Sequence, residues 1–118
     1  MAVKAGGSRA SIYKLSTDTS VAATVVQDAF GSAGVLYQVQ GTAGGAATYL
    51  RFYDDSAAVA GTTEPKVGFL VASGATFSCY VVEGIPFTSA FAYNATANSC
   101  DPADTGAVAA GSWKFIFK

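Results

Sequence analysis

The sequence predicts an all-β domain: a two-sheet antiparallel β-sandwich of Greek-key or jelly-roll type, with about eight strands and a flexible N-terminal arm. Three observations predict it. From residue 46 to residue 118, short alternating runs are separated by Gly, Pro, Asp and Ser, as strands are separated by turns. Apolar periodicity of helical length is absent from the sequence. The chain has 118 residues, the usual size of one domain with a sizeable core.

The N-terminal part of the chain supplies the arm and the first two strands. Residues 1–8 are small and include two consecutive glycines, so we expect a flexible arm followed by a single domain over residues 9–118. Alternation over residues 9–15 predicts the first strand. A β-branched run over residues 21–26 predicts the second. The polar residues 16–20 between them predict a turn.

The next two strands have a clear period of two. Residues 35–40 alternate between two faces, and residues 48–53 place Leu50 and Phe52 on one face. In the strand at residues 48–53, the outward side chains are amphipathic and aromatic: Tyr49, Arg51 and Tyr53. Such side chains suit a protein interface or the stacking of a sugar.

The second half of the chain predicts the remaining strands. The long connection over residues 54–65 is interpreted as a crossover between sheets. Residues 66–72 and 75–82 predict two strands around Ser73-Gly74, the tightest hairpin candidate in the chain. The last two strands are predicted at residues 88–96 and 112–118.

The two cysteines allow two interpretations. Cys79 lies in a predicted strand and Cys100 in a predicted loop, and they could form a disulfide if the fold brings their Cα atoms within about 7 Å. The alternative is a small buried apolar Cys79 and a loop thiol at Cys100, as expected in a reducing cytoplasm. The sequence leaves both open.

Composition excludes most catalytic classes. The chain has no histidine, so Ser-His-Asp and Cys-His relays and His-ligated zinc are ruled out. A glycosidase needs a pair of carboxylates in a deep cleft, which a domain of this size seldom forms. Asp54-Asp55 and Asp101 with Asp104 match no calcium-loop spacing, and Asp101-Pro102 suits a turn. We therefore expect no enzymatic activity, no metal and no cofactor.

Charge and hydropathy point to a binding surface. Seven basic and eight acidic residues are scattered singly, so no basic stripe for nucleic acid is expected. The apolar stretches are too short for a membrane helix, and the N-terminus does not match a secretory signal. Hydrophobic residues make up 51% of the chain and charged residues only 13%, which predicts that apolar surface remains for partners after folding.

A series of short motifs carries a family resemblance. A Leu-x-Phe-Tyr strand at residues 50–53 precedes a Gly-Thr-x-x-Pro turn at residues 61–65. A Phe-x-x-x-Phe-Ala-Tyr strand at residues 87–93 and an acidic loop ending at residues 104–108 lead to a terminal aromatic strand. In this order of motifs, residues 48–118 resemble a recurrent type of small all-β structural protein of tailed bacteriophages.

The resemblance implies a virion protein made in the host cytoplasm and located on the capsid surface. We expect a capsid decoration (cement) protein that binds the assembled major capsid protein, as a homo-oligomer with a trimer favoured. The N-terminal arm and one sheet edge are the expected contacts, with these interface candidates: Val3, Lys4, Arg9, Tyr49, Arg51 and Tyr53. The alternative is a receptor- or glycan-binding module of a head fibre or tail, in which Tyr49, Tyr53 and residues 54–65 contact the ligand.

Overall fold

The computed structural model describes residues 13–118 and confirms the predicted all-β sandwich. In this part of the chain, seven strands form two antiparallel sheets. The strands are β1 (Lys14–Val21), β2 (Gly34–Thr42), β3 (Thr48–Tyr53), β4 (Val67–Val71), β5 (Thr76–Phe87), β6 (Ala92–Thr96) and β7 (Gly111–Phe117). The predicted arm, with Val3 and Lys4, and also Arg9 lie outside the described residues.

The strand order is that of a jelly roll. The four-stranded sheet has the order β1-β7-β2-β5, and the three-stranded sheet has the order β4-β3-β6. The pairs are nested along the chain: β1 pairs with β7, β2 with β5, and β3 with β4. Such nesting is what results when one long antiparallel hairpin is rolled into two facing sheets.

Residues 22–29 occupy the position of an eighth strand, beside β6. The backbone N–H of Val26 donates to the carbonyl of Tyr93 (2.8 Å), and the N–H of Tyr93 donates back (3.1 Å). The N–H of Ala95 donates to the carbonyl of Ala22 (2.9 Å). The β-branched run at residues 21–26 therefore lies where a strand belongs, although it makes an isolated bridge and not a regular ladder.

The turn predicted at residues 16–20 is wrong, because these residues continue β1. Asp18 accepts a hydrogen bond from the backbone N–H of Ser20 (2.9 Å), and the pairing with β7 shifts register between Asp18 and Val21. The local side-chain bond thus produces a bulge in an edge strand, without reversing the chain.

Two predicted connections exchange roles. Residues 54–65 join β3 to β4, which are neighbours in one sheet, so this loop closes a wide hairpin and is not a crossover. The Ser73-Gly74 turn is correctly located, with Gly74 at φ +65°. However, it joins β4 to β5 in the other sheet, so it is the crossover and not a hairpin.

The core between the sheets is largely aromatic. Phe91 is fully buried, and its ring centroid lies 5.0 Å from that of Phe87, 5.3 Å from Phe52 and 5.4 Å from Phe115. Burying one such side chain contributes about 1.5–3 kcal/mol. Each sheet thus has one face fixed in the core, which leaves the two outer faces as the places to look for function.

Candidate interaction surface

The outer face of the three-stranded sheet is covered. Tyr49, Arg51 and Tyr53 point to this face as predicted, but Arg51 and Tyr53 are 0% exposed and Tyr49 is half-buried. The connections after β3 and β6 lie over them: Tyr53 packs with Ala58, and Arg51 contacts Asp101. The predicted exposure of Arg51 and Tyr53 is therefore wrong, and neither can contact a partner in this conformation.

A buried polar cluster occupies this covered face. Arg51 Nε donates to Asn94 Oδ1 (3.1 Å), Arg51 Nη1 donates to the carbonyl of Asp101 (2.7 Å), and Tyr53 Oη donates to Asn94 Oδ1 (3.0 Å). Asn94 Nδ2 donates to the carbonyl of Ala23 (2.9 Å). Arg51 Nη2 has no hydrogen-bond partner among residues 13–118. The cluster ties two connections to β3 and β6, and its role is structural.

Burial dominates the ionisation of the groups around this cluster. Desolvation raises the pKa of the Tyr53 hydroxyl, and the nearby Arg51 and the bond to Asn94 only partly offset it. Desolvation likewise raises the pKa of the Cys100 thiol, against the opposing effect of Arg51. Both groups therefore stay protonated at neutral pH, and neither is an activated nucleophile.

Cys79 and Cys100 are unpaired, so the disulfide interpretation is wrong. Cys79 pairs with the buried Val39 in the four-stranded sheet and faces the core. Cys100 lies on the outer side of the other sheet, where its Sγ is the nearest atom to a Cβ built on Gly68. The sandwich itself separates the two thiols.

Acidic side chains in the loops accept hydrogen bonds from backbone amides. Asp54 accepts bonds from Thr88 N (3.0 Å) and Ser89 N (2.7 Å), and Asp104 accepts from Asn98 N (2.9 Å) and Ser99 N (2.8 Å). Desolvation acts to raise the pKa of both carboxyls. These bonds, with the bond that Gly106 N donates to Asp104 (2.9 Å), outweigh it and lower each pKa.

The Asp101 carboxyl is used in the same way. Its Oδ1 accepts from the N–H of Ala103 (2.8 Å), which is the turn expected from Asp101-Pro102. Residues 13–118 contain no group of three or more side chains that could hold a metal ion.

The outer face of the four-stranded sheet is open, and we call it the open face. No described segment lies over it, and its outward side chains are all exposed or half-buried. One row across it runs Leu15, Ile116, Gln38 and Tyr80, as given by the strand registers. With adjacent strands about 4.8 Å apart, this row spans about 14 Å. The outward residues are Leu15, Thr17, Gln38, Gln40, Thr42, Thr76, Ser78, Tyr80, Val82, Ser112, Lys114 and Ile116.

One half of the open face is apolar and aromatic. Leu15 is 60% exposed, Tyr80 65% and Val82 75%. Tyr13, directly before β1, meets Tyr37 edge-to-face with ring centroids 5.4 Å apart. Large apolar side chains on a flat sheet with nothing over them are typical of a docking surface.

The other half is a shallow depression of about 400 Å³ with hydroxyl groups on its rim. Its rim includes Thr42, Ser78, Ser112 and Lys114. None of these four side chains has an intramolecular partner within the described part of the chain, so all are free to bond to a ligand or to water. Lys114 supplies a single positive charge at the centre of the sheet.

Sequence reasoning missed the open face. The sequence pattern that indicates this face lies in β5, where the outward Ser78, Tyr80 and Val82 alternate with the inward Phe77 and Cys79. The outward aromatic set of β3 gives an equally clear alternation. The two faces differ only in what the loops cover, and alternation carries no information about that.

Within residues 13–118, no helix is long and apolar enough to cross a bilayer. Comparison with protein-family models, with curated proteins and with solved structures gave no match.

Proposed function

We propose that this protein is a capsid decoration protein of the tailed-bacteriophage type, which binds the assembled shell through its open face and catalyses no reaction. One observation carries the proposal. Six large hydrophobic side chains are exposed in the described chain, and four of them lie on or beside this face: Tyr13, Leu15, Tyr80 and Val82. A flat apolar region next to uncharged hydroxyls has the composition of a protein interface core with a polar rim.

Two further arguments support a virion role. The motif order of residues 48–118 resembles small structural proteins of tailed phages. The jelly roll also recurs in viral coat domains, although this is an analogy at the level of fold and does not by itself assign a function. A decoration protein needs no cleft and no ionisable catalytic pair. The carboxylates of Asp54 and Asp104, which accept hydrogen bonds from backbone N–H groups of loops, agree with this.

Binding alone gives such a protein its effect. If the open face recognises only the expanded lattice, each bound copy stabilises that lattice by RT ln(1 + [L]/Kd). The contacts proposed here are Leu15, Tyr80 and their neighbours, in place of the buried Arg51 and Tyr53. Contacts by Val3, Lys4 and Arg9 remain predictions.

The test is co-sedimentation of the purified protein with empty expanded capsids. We expect saturable binding at a fixed ratio to the major capsid protein. Leu15→Lys should abolish it, whereas the matched control Leu70→Lys should bind normally, because both leucines are 60% exposed but Leu70 lies on the covered sheet. Absence of saturable binding by the native protein, or equal binding by both variants, would refute the proposal.

A second candidate function is binding of a glycan, and the hydroxyls on the rim of the shallow depression favour it. Hydroxyls at Thr42, Ser78 and Ser112 without intramolecular partners suit a neutral, hydroxyl-rich ligand. This moves the site away from Tyr53 and the residue 54–65 loop. Chemical-shift perturbation by an oligosaccharide panel, centred on Thr42 and lost in Ser112→Leu, would favour it over capsid binding.

A further inference from the structure

The two sheets formed by residues 13–118 have four outer edges, and three of them are protected. The edge of β6 is covered by residues 22–29. β4 has only five residues. β1 has charged residues at Lys14 and Asp18 and a bulge after Asp18. Short length, charge, bulges and covering segments are the devices by which natural sheets prevent edge-to-edge pairing.

The edge of β5 has none of these devices over residues 76–82. β5 is the longest strand, with twelve residues, and no described segment pairs with its free side. Residues 76–82 contain no charged residue, proline or glycine. Protection begins only beyond them, with Glu83, with Gly84 at φ +77° and with Pro86. These seven residues have high strand propensity, and the side of their backbone away from β2 is thus open to another strand.

We propose that two copies of the chain join antiparallel through residues 76–82 of their β5 strands, forming a dimer with one continuous eight-stranded sheet. Two identical antiparallel strands related by a two-fold axis satisfy each other's backbone groups, so the contact closes on itself. The segment is uncharged, and therefore the pairing brings no like charges together.

The exposed side chains of β5 agree with this partner. Tyr80 and Val82 both lie on the outer side of the strand, and a two-fold axis perpendicular to the sheet keeps that side common to both copies. Each then gains neighbours from the opposite strand, and aromatic and β-branched cross-strand pairs stabilise antiparallel sheets. Pairing ends at residue 82 because the backbone departs from regular register between Tyr80 and Ile85.

This arrangement differs from the trimer expected from the sequence. A ring of three needs two different edges in contact, and in this sheet the second edge is β1. β1 carries the charges and the bulge that oppose pairing. The dimer inference does not depend on the capsid proposal, although a dimer would place two open faces on the same side of one sheet.

The test is the solution mass by size exclusion with light scattering, over a wide concentration range. The native protein should have twice the chain mass of 11.9 kDa. Val82→Lys should reduce it to a single chain, because a lysine on an edge strand opposes edge-to-edge pairing and the two-fold axis introduces it twice. The matched control Val59→Lys, at a residue that is 54% exposed on a loop, should remain a dimer.

Two further measurements test the dimer. Leu15→Lys, on the β1 edge, should also remain a dimer. Amide hydrogen exchange should show that the amides of residues 76–82 on the side away from β2 are protected in the native protein and unprotected in Val82→Lys, with the fluorescence of Trp113 unchanged as a control for folding. A native monomer, a trimer, an open-ended polymer, dissociation by Leu15→Lys, or a dimeric Val82→Lys would each overturn the proposal.

Discussion

Replacement of Asn94 by alanine should be far more destabilising than replacement of Arg51, the buried cation that donates a hydrogen bond to it. In the native protein Asn94 Oδ1 accepts from both Arg51 Nε and Tyr53 Oη, and its Nδ2 donates to the carbonyl of Ala23. Asn94→Ala therefore removes a partner from three groups: the buried, charged guanidinium of Arg51, the buried hydroxyl of Tyr53 and the partly buried carbonyl of Ala23. Each costs about 1–3 kcal/mol, and broken buried charge networks cost about 3–5 kcal/mol in total.

Replacement of Arg51 itself should be milder. No carboxylate lies within ion-pair distance of Arg51 among the described residues, and its Nη2 is already unsatisfied. Arg51→Met removes this buried charge while Asn94 keeps its bond from Tyr53, so only the Asp101 carbonyl loses a direct partner. We expect a cost of about 1–2 kcal/mol, since lost hydrogen bonds are offset by a smaller desolvation penalty.

Urea unfolding followed by the fluorescence of Trp113 measures both effects. With a slope of about 2 kcal/mol/M, the middle of the range for a small protein, Asn94→Ala should lower the midpoint by about 1.5–2.5 M and Arg51→Met by about 0.5–1 M. Asn98→Ala is the matched control, because Asn98 is exposed and its side chain makes one long bond to Asp104 (3.3 Å). An Asn94→Ala midpoint within about 0.5 M of the control, or equal losses for the two buried variants, would refute the reasoning.

Three further outcomes are expected. Gly68→Ala should cost about 1–3 kcal/mol by overpacking against the Cys100 thiol, and Cys100→Ala in the same chain should recover part of that loss in urea unfolding. The lowered pKa of Asp104 contributes stability that is complete above its ordinary value of 3.8 and is lost progressively as pH falls from there through the lowered folded-state value, so Asp104→Asn should destabilise at pH 7, and its difference from the native protein should be smaller at pH 2.5. Alkylation of the unfolded, unreduced protein should modify both Cys79 and Cys100, and mass spectrometry showing an unmodified pair would contradict the assignment of free thiols.

The strands and their faces were predictable because alternation is local. Leu50 and Phe52 face the core and Arg51 faces away from it, as the period of two predicts. The burial of Arg51 was not predictable, because it depends on a connection that follows β6, about fifty residues along the chain. No local pattern shows whether a distant loop lies over a sheet face.

The predicted roles of the two connections, residues 54–65 and Ser73-Gly74, were wrong for a related reason. Ser73-Gly74 was correctly identified as a tight turn, since glycine readily adopts the positive φ found there. A turn of this kind joins two strands either within one sheet or across two, and the choice depends on pairing with strands elsewhere. The pairing of β5 with β2 decides it, and that contact is remote in sequence.

The position of β7 has a consequence for biosynthesis. This last strand of the described chain inserts between β1 and β2, which do not pair with one another. During translation β1 and β2 therefore lack their shared neighbour until residues 111–117 leave the ribosome. Contacts so distant along a chain also form slowly. Folding of this domain should thus be completed only after residues 111–117 have emerged, and nascent chains should spend time as targets for chaperones that shield unpaired strands.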